Sequence, residues 1–447
     1  MIERTSKADD FIQKLREQAA SYTDKRTGQN TQYEIADIVM AAFSIFFIQA
    51  PSFLSGQEKM EILRQKNNAR SLFNVEQIPS DTQIRKLLDE INPEEIYPFF
   101  GEMISYLEKT KHLDEFRSYK RNLLIAVDGT IYHSSKNICC TQCNTREKDG
   151  KIDYFHGVVT PTIVKSGKKQ NQVVVLYPEF IMPQDGHEKQ DCEREAIKRW
   201  LEKYGQEYGE KGATILGDDL YSCEPICRKI LEKQLDFILT CKESSHPQMY
   251  QTLTFLDNIG KIKEISKRFW TGKQGEIHTY RFVNDIPIRG VINKTDEPLL
   301  VNWCEIIVRD EKSAEILFRN AYITNFEINE ENVPQIVQDG RSRWAIENGN
   351  YNVLKKHGYH GEHNFGHGDK YLSSSLFTLN LIAFLIHTVC EITDEPYRTV
   401  RNKIRKRMDF YIEIFVLTGY LYFTSWGQLF SFMIDSEHEN IPASKFL

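Results

Sequence analysis

The chain has no surplus of positive charge. Its 57 Lys and Arg against 63 Asp and Glu leave a net charge of −6, which excludes a globally basic nucleic-acid coat and leaves any such contact to local patches. A disulfide framework is also lacking: the nine cysteines are odd in number and irregularly spaced. No charged and apolar leader opens the chain, so a reducing cytoplasm is the expected compartment. Long apolar runs are missing as well. The two most apolar stretches are Ile38 to Gly56, interrupted by Ser44, Gln49 and Pro51, and Tyr371 to Cys390, which carries three serines, Thr378, Asn380 and His387. A spanning helix needs roughly 20 predominantly apolar residues, so both are expected to be helices buried in protein, with no membrane partner. Internal repeats and low-complexity segments do not stand out. What remains is an ordinary globular composition, 40% hydrophobic and 27% charged over 447 residues, enough for two or three domains.

Residues 1 to 118 read as helical. Phe11, Ile12 and Leu15 share one face, Tyr33 to Gln49 forms a mostly buried helix, and Glu58 to Leu72 forms another. Ser80 and Gln83 make a capping box ahead of Ile84, Leu87 and Leu88. The short helix so started, with Arg85 and Lys86, is compatible with a helix-turn-helix or with a plain bundle.

From Asn122 the texture becomes strand-like. Leu123 to Thr130 (LLIAVDGT) is a central strand that ends by presenting Asp128. Tyr154 to Val164 and Val173 to Ile181 follow as two more strands, then a helix from about Glu188 to Tyr204. The strand Ala213 to Gly217 ends in Asp218-Asp219, and a helix through Ile226 and Ile230 leads to the strand Asp236 to Cys241. Three strands, helix, strand, helix, strand is the ribonuclease-H-like order, in which the first and fourth strands lie side by side and end at the same edge. Asp128 and Asp218 are then neighbours. Short alternating runs (278–283, 287–292, 299–308 and 316–318) mark a β-rich insertion before strand Ala321 to Thr324, a helix from near Asn332 and another through Arg343, Glu347 and Leu354. The expected fold class is α/β. Its ribonuclease-H-like mixed-sheet core (119–243 and 320–392) is interrupted by the β-rich insertion (244–319), with a helical N-terminal region (1–118) and a helical, basic C-terminal region (393–447).

Glu347 lies in RSRWAIENG, four residues after Arg343 and on the same helical face. Taken alone this is a surface ion pair. Joined to two strand-end aspartates it becomes a site, because three converging carboxylates raise one another's pKa steeply unless a cation compensates them. Two divalent metal ions about 4 Å apart would do so, and would serve in-line phosphoryl transfer.

These motifs, VDGT with Asp128, GDDLYS with Asp218 and RWAIEN with Arg343 and Glu347, resemble the DDE transposases of bacterial insertion sequences, in the cut-and-paste class with a β-rich insertion. The likeness runs from about Leu123 to Val389. It implies Mg²⁺-dependent (or Mn²⁺-dependent) cleavage and strand transfer at element ends, with Asp128, Asp218 and Glu347 as catalytic ligands of two ions and Arg343 on DNA phosphate. It implies a homodimer on terminal-repeat and target DNA, at the nucleoid. The D-x-x-Y spacing to Tyr221 favours Asp218 over Asp219. Two positions depart from the pattern: Gly340 stands where a tyrosine is expected, and Leu354 where a lysine is, with Lys355 one later, about 100° around a helix. Lys355 is carried over as a DNA contact on that shifted register. The insertion of such enzymes can stack an aromatic on a flipped base. Trp270, beside Lys267, Arg268 and Lys273, is the candidate, and Trp303 the core alternative. Other readings are a catalytically dead descendant kept for DNA binding, and another two-metal DNA nuclease.

Two clusters stand apart from this triad. Cys140 and Cys143, followed by His156 and preceded by His133, have zinc-knuckle spacing, so a structural Zn²⁺ steadying the strand of Asp128 is a candidate, with Cys139 a rival ligand. His357, His360, His363 and His367 crowd a glycine-rich loop after the Glu347 helix and suit a site lining more than a metal cage. Last, Arg398, Arg401, Lys403, Arg405, Lys406 and Arg407 form the densest positive run, read as phosphate-binding with Arg401, Arg405, Lys406 and Arg407 foremost.

Overall fold

The structure, a computed structural model, describes residues 4–27, 31–61, 67–148, 150–167, 172–183, 191–290 and 297–435. Six helices come first. Helix α1 (Lys7–Ala19) is capped by Ser6, whose hydroxyl accepts the Ala8 N–H, and α2 (Ile35–Phe47) is buried along its whole length. Helices α3 (Phe53–Glu61) and α4 (Asn68–Phe73) replace the single helix expected over 58–72, with 62–66 outside the described residues. The serine half of the capping box is present: Ser80 Oγ accepts the Gln83 N–H at 3.4 Å and opens α5 (Asp81–Leu88), which is followed by α6 (Pro98–Lys109).

The central stretch then changes sheet three times. Strand β1 (Leu123–Ala126) gives way at Val127-Asp128 to β2 (Gly129–Ser135). After β3 (Asn144–Lys148), β4 (Lys151–Val159) passes through Thr160-Pro161 into β5 (Thr162–Val164), and β6 (Val173–Val175) passes through Leu176 to Pro178 into β7 (Glu179–Ile181). Each of the three strands expected from sequence is thus two. The first part of one and the last or first parts of the others lie in a main sheet, and the three remainders, β2, β4 and β7, form a second, four-stranded sheet together with β3. Pro161 and Pro178 lack the N–H that an uninterrupted ladder needs.

Helix α7 (Glu193–Glu210), β8 (Ala213–Gly217), α8 (Glu224–Glu232) and β9 (Asp236–Thr240) follow in the expected order, α7 starting later than the sequence suggested. The expected start at Glu188 lies outside the described residues, and Asp191 and Cys192 are not helical. The strand order of this part is β6-β5-β1-β8-β9. Both β8 pairings are parallel, while β5 runs antiparallel to β1 and to β6.

The region expected as a β-rich insertion begins with a helix, α9 (Pro247–Asn258), and continues as β10 (Lys263–Trp270), β11 (Gly275–Pro287), β12 (Leu300–Asp310) and β13 (Ile316–Thr324). The run expected over 287–292 ends partly outside the described residues. These strands extend the main sheet, because β13 pairs antiparallel with β9, giving nine strands in the order β10-β11-β12-β13-β9-β8-β1-β5-β6. Strand β13 crosses the expected domain boundary at 319/320.

Helix α10 (Val333–Arg341) leads to a π-helical turn, Ile346–Tyr351, and α11 (Asn352–Lys356). The chain closes with α12 (Leu372–Thr393), α13 (Glu395–Lys403), α14 (Arg407–Tyr420) and α15 (Trp426–Asp435). These last helices and the first six form one body. α12 packs on α1, α2, α5 and α6, α13 on α12 and α15, and α14 on α3. α12 alone among the described helices is long and apolar enough to cross a membrane, and 89% of its apolar window is buried inside the protein. Two apolar core helices, α2 and α12, cross near His387, whose ring stacks on Phe47 and bonds Phe47 O and Tyr397 Oη, each at 2.9 Å. Arg85 on α5, half-exposed, donates to Phe365 O at 2.9 Å and pairs with Asp81 at 3.0 Å.

Candidate active site

Strands β1 and β8 are fully buried and parallel, with Ala126 opposite Leu216. The residues just beyond them therefore leave one sheet edge together. Asp128 and Asp218 are those residues. Asp218 accepts the Leu220 N–H at 2.9 Å in a tight turn, whereas Asp219 accepts Lys242 N at 2.6 Å and the Ser245 hydroxyl, and so fastens the loop after β9. Asp218 is the one whose charge acts on Asp128.

The third acid arrives from the far side of the chain. Glu347 sits in the π-helical turn, a local widening often found at functional sites. Two anchors hold that turn to the Asp128 strand end: Tyr351 donates its hydroxyl to the Asp128 carbonyl, and Asn350 donates to Thr162 Oγ1 on β5 at 2.9 Å. Arg343 stands between the acids, 3.5 Å from Asp128 and 3.0 Å from Glu347. Gly340, where a tyrosine would match the resemblance, faces Tyr322 of β13. A Cβ there would lie 2.8 Å from that ring, so no side chain fits.

A fourth carboxylate, Glu193, joins them. It opens α7, accepts from Tyr221 Oη at 3.1 Å, and lies so close to Gly129 that a Cβ at that glycine would be 2.3 Å from the Glu193 carboxyl carbon. Read from sequence it is only an acid favouring a helix N-terminus. Its place is the other clue, since α7 leads directly into β8 and its first turn lies back toward the edge where β8 ends.

Burial pushes the Asp128 carboxyl up to about 7; Arg343 pulls it down, and the charges of Asp218, Glu193 and Glu347 push it further up. Glu193 is also raised, first by burial, against the Tyr221 hydrogen bond and with Asp218 adding to the rise. The four acids thus repel one another at a place where a single arginine is the described cation in contact with them.

Beside this edge, a cavity of about 940 Å³ opens between the β10–β13 face and α10, lined among others by Lys267, Phe269, His278, Arg341, Trp344 and Asn348. Trp344, next to Arg343, is 57% exposed, an aromatic the sequence reading passed over. Trp270 ends β10 and is 68% exposed, while Trp303 is core.

Several other expected site residues have internal partners. Lys355 donates to Ile131 O at 3.0 Å and pairs with Glu362 at 2.9 Å, so it braces the turn against β2. The basic run does not form one surface. Arg401 donates to Ile404 O at 2.8 Å with its guanidinium over the Phe410 ring, and Arg407 is paired with Glu391 at 3.2 Å in the helical body. Arg405 and Lys406 between them are exposed. The run breaks because α13 ends and α14 begins within it, and each helix turns one arginine inward.

Cys140, Cys143 and His156 do come together, but their fourth neighbour is His367 and not His133. Although His133 is opposite His156 in the β2–β4 ladder, its ring lies against the two histidine rings and is not one of the four that converge. Cys139 is exposed and outside the group. No family model and no curated protein matches this chain.

Proposed function

We propose that this chain is a DDE-type DNA transposase, cleaving and joining DNA at the ends of an insertion sequence as a homodimer in the bacterial cytoplasm. The observation that carries the reading is the convergence of Asp128, Asp218 and Glu347, from three separate elements, around one arginine at the carboxyl edge of two parallel strands. The strand order β6-β5-β1-β8-β9, with its single antiparallel-to-parallel switch at β1, supports a ribonuclease-H-like core.

The donor set fits hard divalent cations. Carboxylate oxygens are what Mg²⁺ and Mn²⁺ take, and an aspartate raised to about 7 first by burial and further by its acidic neighbours is a group that a cation would return to its charged form. Asp128, Asp218 and Glu347 would hold the ions, with Glu193 close enough to share in the binding or to orient its neighbours. When bound, two such ions supply activation of a water or 3′-hydroxyl and stabilisation of the leaving oxygen.

The rest falls to the chain's own groups. Tyr351 and Asn350 fix the turn of Glu347 against the strand end of Asp128, which sets the spacing between acids. Arg343 keeps two of the acids in register and presents its guanidinium toward the place a phosphate would occupy. Lys267 and Arg341 line the cavity as phosphate partners. Trp344 and Trp270 offer exposed rings for stacking against an unpaired base.

Excision tests this reading. With the coding region and its native flanking DNA on a plasmid, amplification across the rejoined donor should give product for wild type and at least about a thousandfold less for Asp128→Asn or Glu347→Gln. Equal product from the aspartate variant, or none from a folded wild type with verified flanks, overturns catalysis and leaves DNA binding alone.

A further inference from the structure

We propose that Cys140, Cys143, His156 and His367 form a structural Zn²⁺ site that locks the strand leaving Asp128 to the loop leaving Glu347. The four side chains come from three places far apart in the chain: the turn between β2 and β3, the middle of β4, and the loop between α11 and α12. One donor atom from each lies within 4.8 Å of all the others.

The separations match a coordination polyhedron. A tetrahedral ion with Zn–S of about 2.3 Å and Zn–N of about 2.0 Å sets S···S edges near 3.8 Å and S···N edges near 3.5 Å. Here the two sulfurs are 3.8 Å apart. Cys140 Sγ and Cys143 Sγ lie 3.4 and 3.5 Å from His156 Nε2, and Cys143 Sγ lies 3.6 Å from His367 Nε2. The sulfurs are far beyond the roughly 2.05 Å of a disulfide. Hydrogen bonding alone accounts poorly for the group, since thiols are weak donors and weak acceptors and each neutral imidazole has a single N–H to give. Two thiolates and two neutral imidazoles around a dication carry no net charge, which suits a half-buried place.

Four protein ligands close the coordination sphere, so the site is structural and has no open position for substrate. The surroundings agree with a clamp. Tyr132 stacks beside His156, and Thr141 Oγ1 reaches Asp369 O at 3.4 Å. The loop's far end is gathered by Asp89, which accepts the backbone N–H groups of Asp369, Lys370, Tyr371 and Leu372 at 2.9–3.0 Å. His133 is a neighbour of the quartet: its ring is 4.6 Å from that of His367, and each of these two histidines keeps one buried nitrogen without a hydrogen-bond partner.

The test needs neither DNA nor activity, so it stands or falls apart from the transposase reading. The full chain, purified under reducing conditions and dialysed, should carry about one zinc per molecule by elemental analysis. Replacement by Co²⁺ should give the visible absorption of a tetrahedral centre and a thiolate charge-transfer band. Cys143→Ser and His367→Ala should weaken metal binding by at least about tenfold, while His133→Ala and Cys139→Ser should retain it. If the ligand variants do not fold, the cobalt spectrum of the wild type decides. Wild type that takes up neither zinc nor cobalt overturns the site, as does retention in His367→Ala with loss in His133→Ala.

Discussion

Asp128 is a carboxyl whose proton is held by its surroundings. Its folded pKa of about 7 lies above the ordinary 3.8, so the folded protein binds this proton more tightly than the unfolded chain does. Its contribution to stability is full below about pH 4 and is lost as the pH rises through 7. In chelator, Asp128→Asn should therefore raise the melting temperature at pH 8 by about 2 °C and leave it nearly unchanged at pH 4.5, as calorimetry would show. The choice between Asp218 and Asp219 turns on the same scale. Sequence spacing favours Asp218, and the reason lies in hydrogen bonds no sequence displays: Asp219 is occupied with Lys242 N and Ser245. His367 was visible only as one of several loop histidines, because 211 residues separate it from His156 and proximity across such a gap is a property of the fold.

Among the elements, β1 and β8 and their acids were legible, since unbroken apolar runs ending in aspartate describe buried parallel strands. The crossing from one sheet to another was not. LLIAVDGT reads as one strand because a buried chain can bend between sheets without losing its apolar character, and only Pro161 and Pro178 hint at the break. The bend at Asp128 brings Gly129 against Glu193, and this close approach predicts the effect of one methyl group. Gly129→Ala would force the Glu193 side chain aside and break its bond from Tyr221. The side chain is flexible, so the melting temperature should move by less than about 2 °C. Strand cleavage in vitro on element-end DNA should fall by up to about a hundredfold, as expected when a group beside the reacting atoms shifts by about 1 Å.

At the scale of the whole molecule, helices from both ends of the sequence share one core. His387, buried between Phe47 and Tyr397, has its pKa lowered to about 3, chiefly by burial, from the ordinary 6.5. Its neutral form stabilises the fold fully above 6.5, and that support drains away as the pH falls toward 3, by up to about 1.4 kcal/mol per pH unit. This sign is opposite to that of Asp128. Near-ultraviolet circular dichroism of Asp128→Asn should then decline over pH 6 to 3 as the histidine is forced to charge. Amphipathic spacing revealed most of these helices, but not that they belong together, nor that Arg401 and Arg407 serve the core. A run of positive residues says nothing of where a helix boundary falls inside it.

The same shared core has a consequence for the order in which the chain is made. Helix α2 is buried along its whole length, and α12, one of the helices that cover it, starts at Leu372, 325 residues after α2 ends. At about 5–20 residues per second of synthesis, α2 waits for tens of seconds with this partner not yet translated. The face of α2 that meets α12 therefore closes only after the whole sheet has been translated.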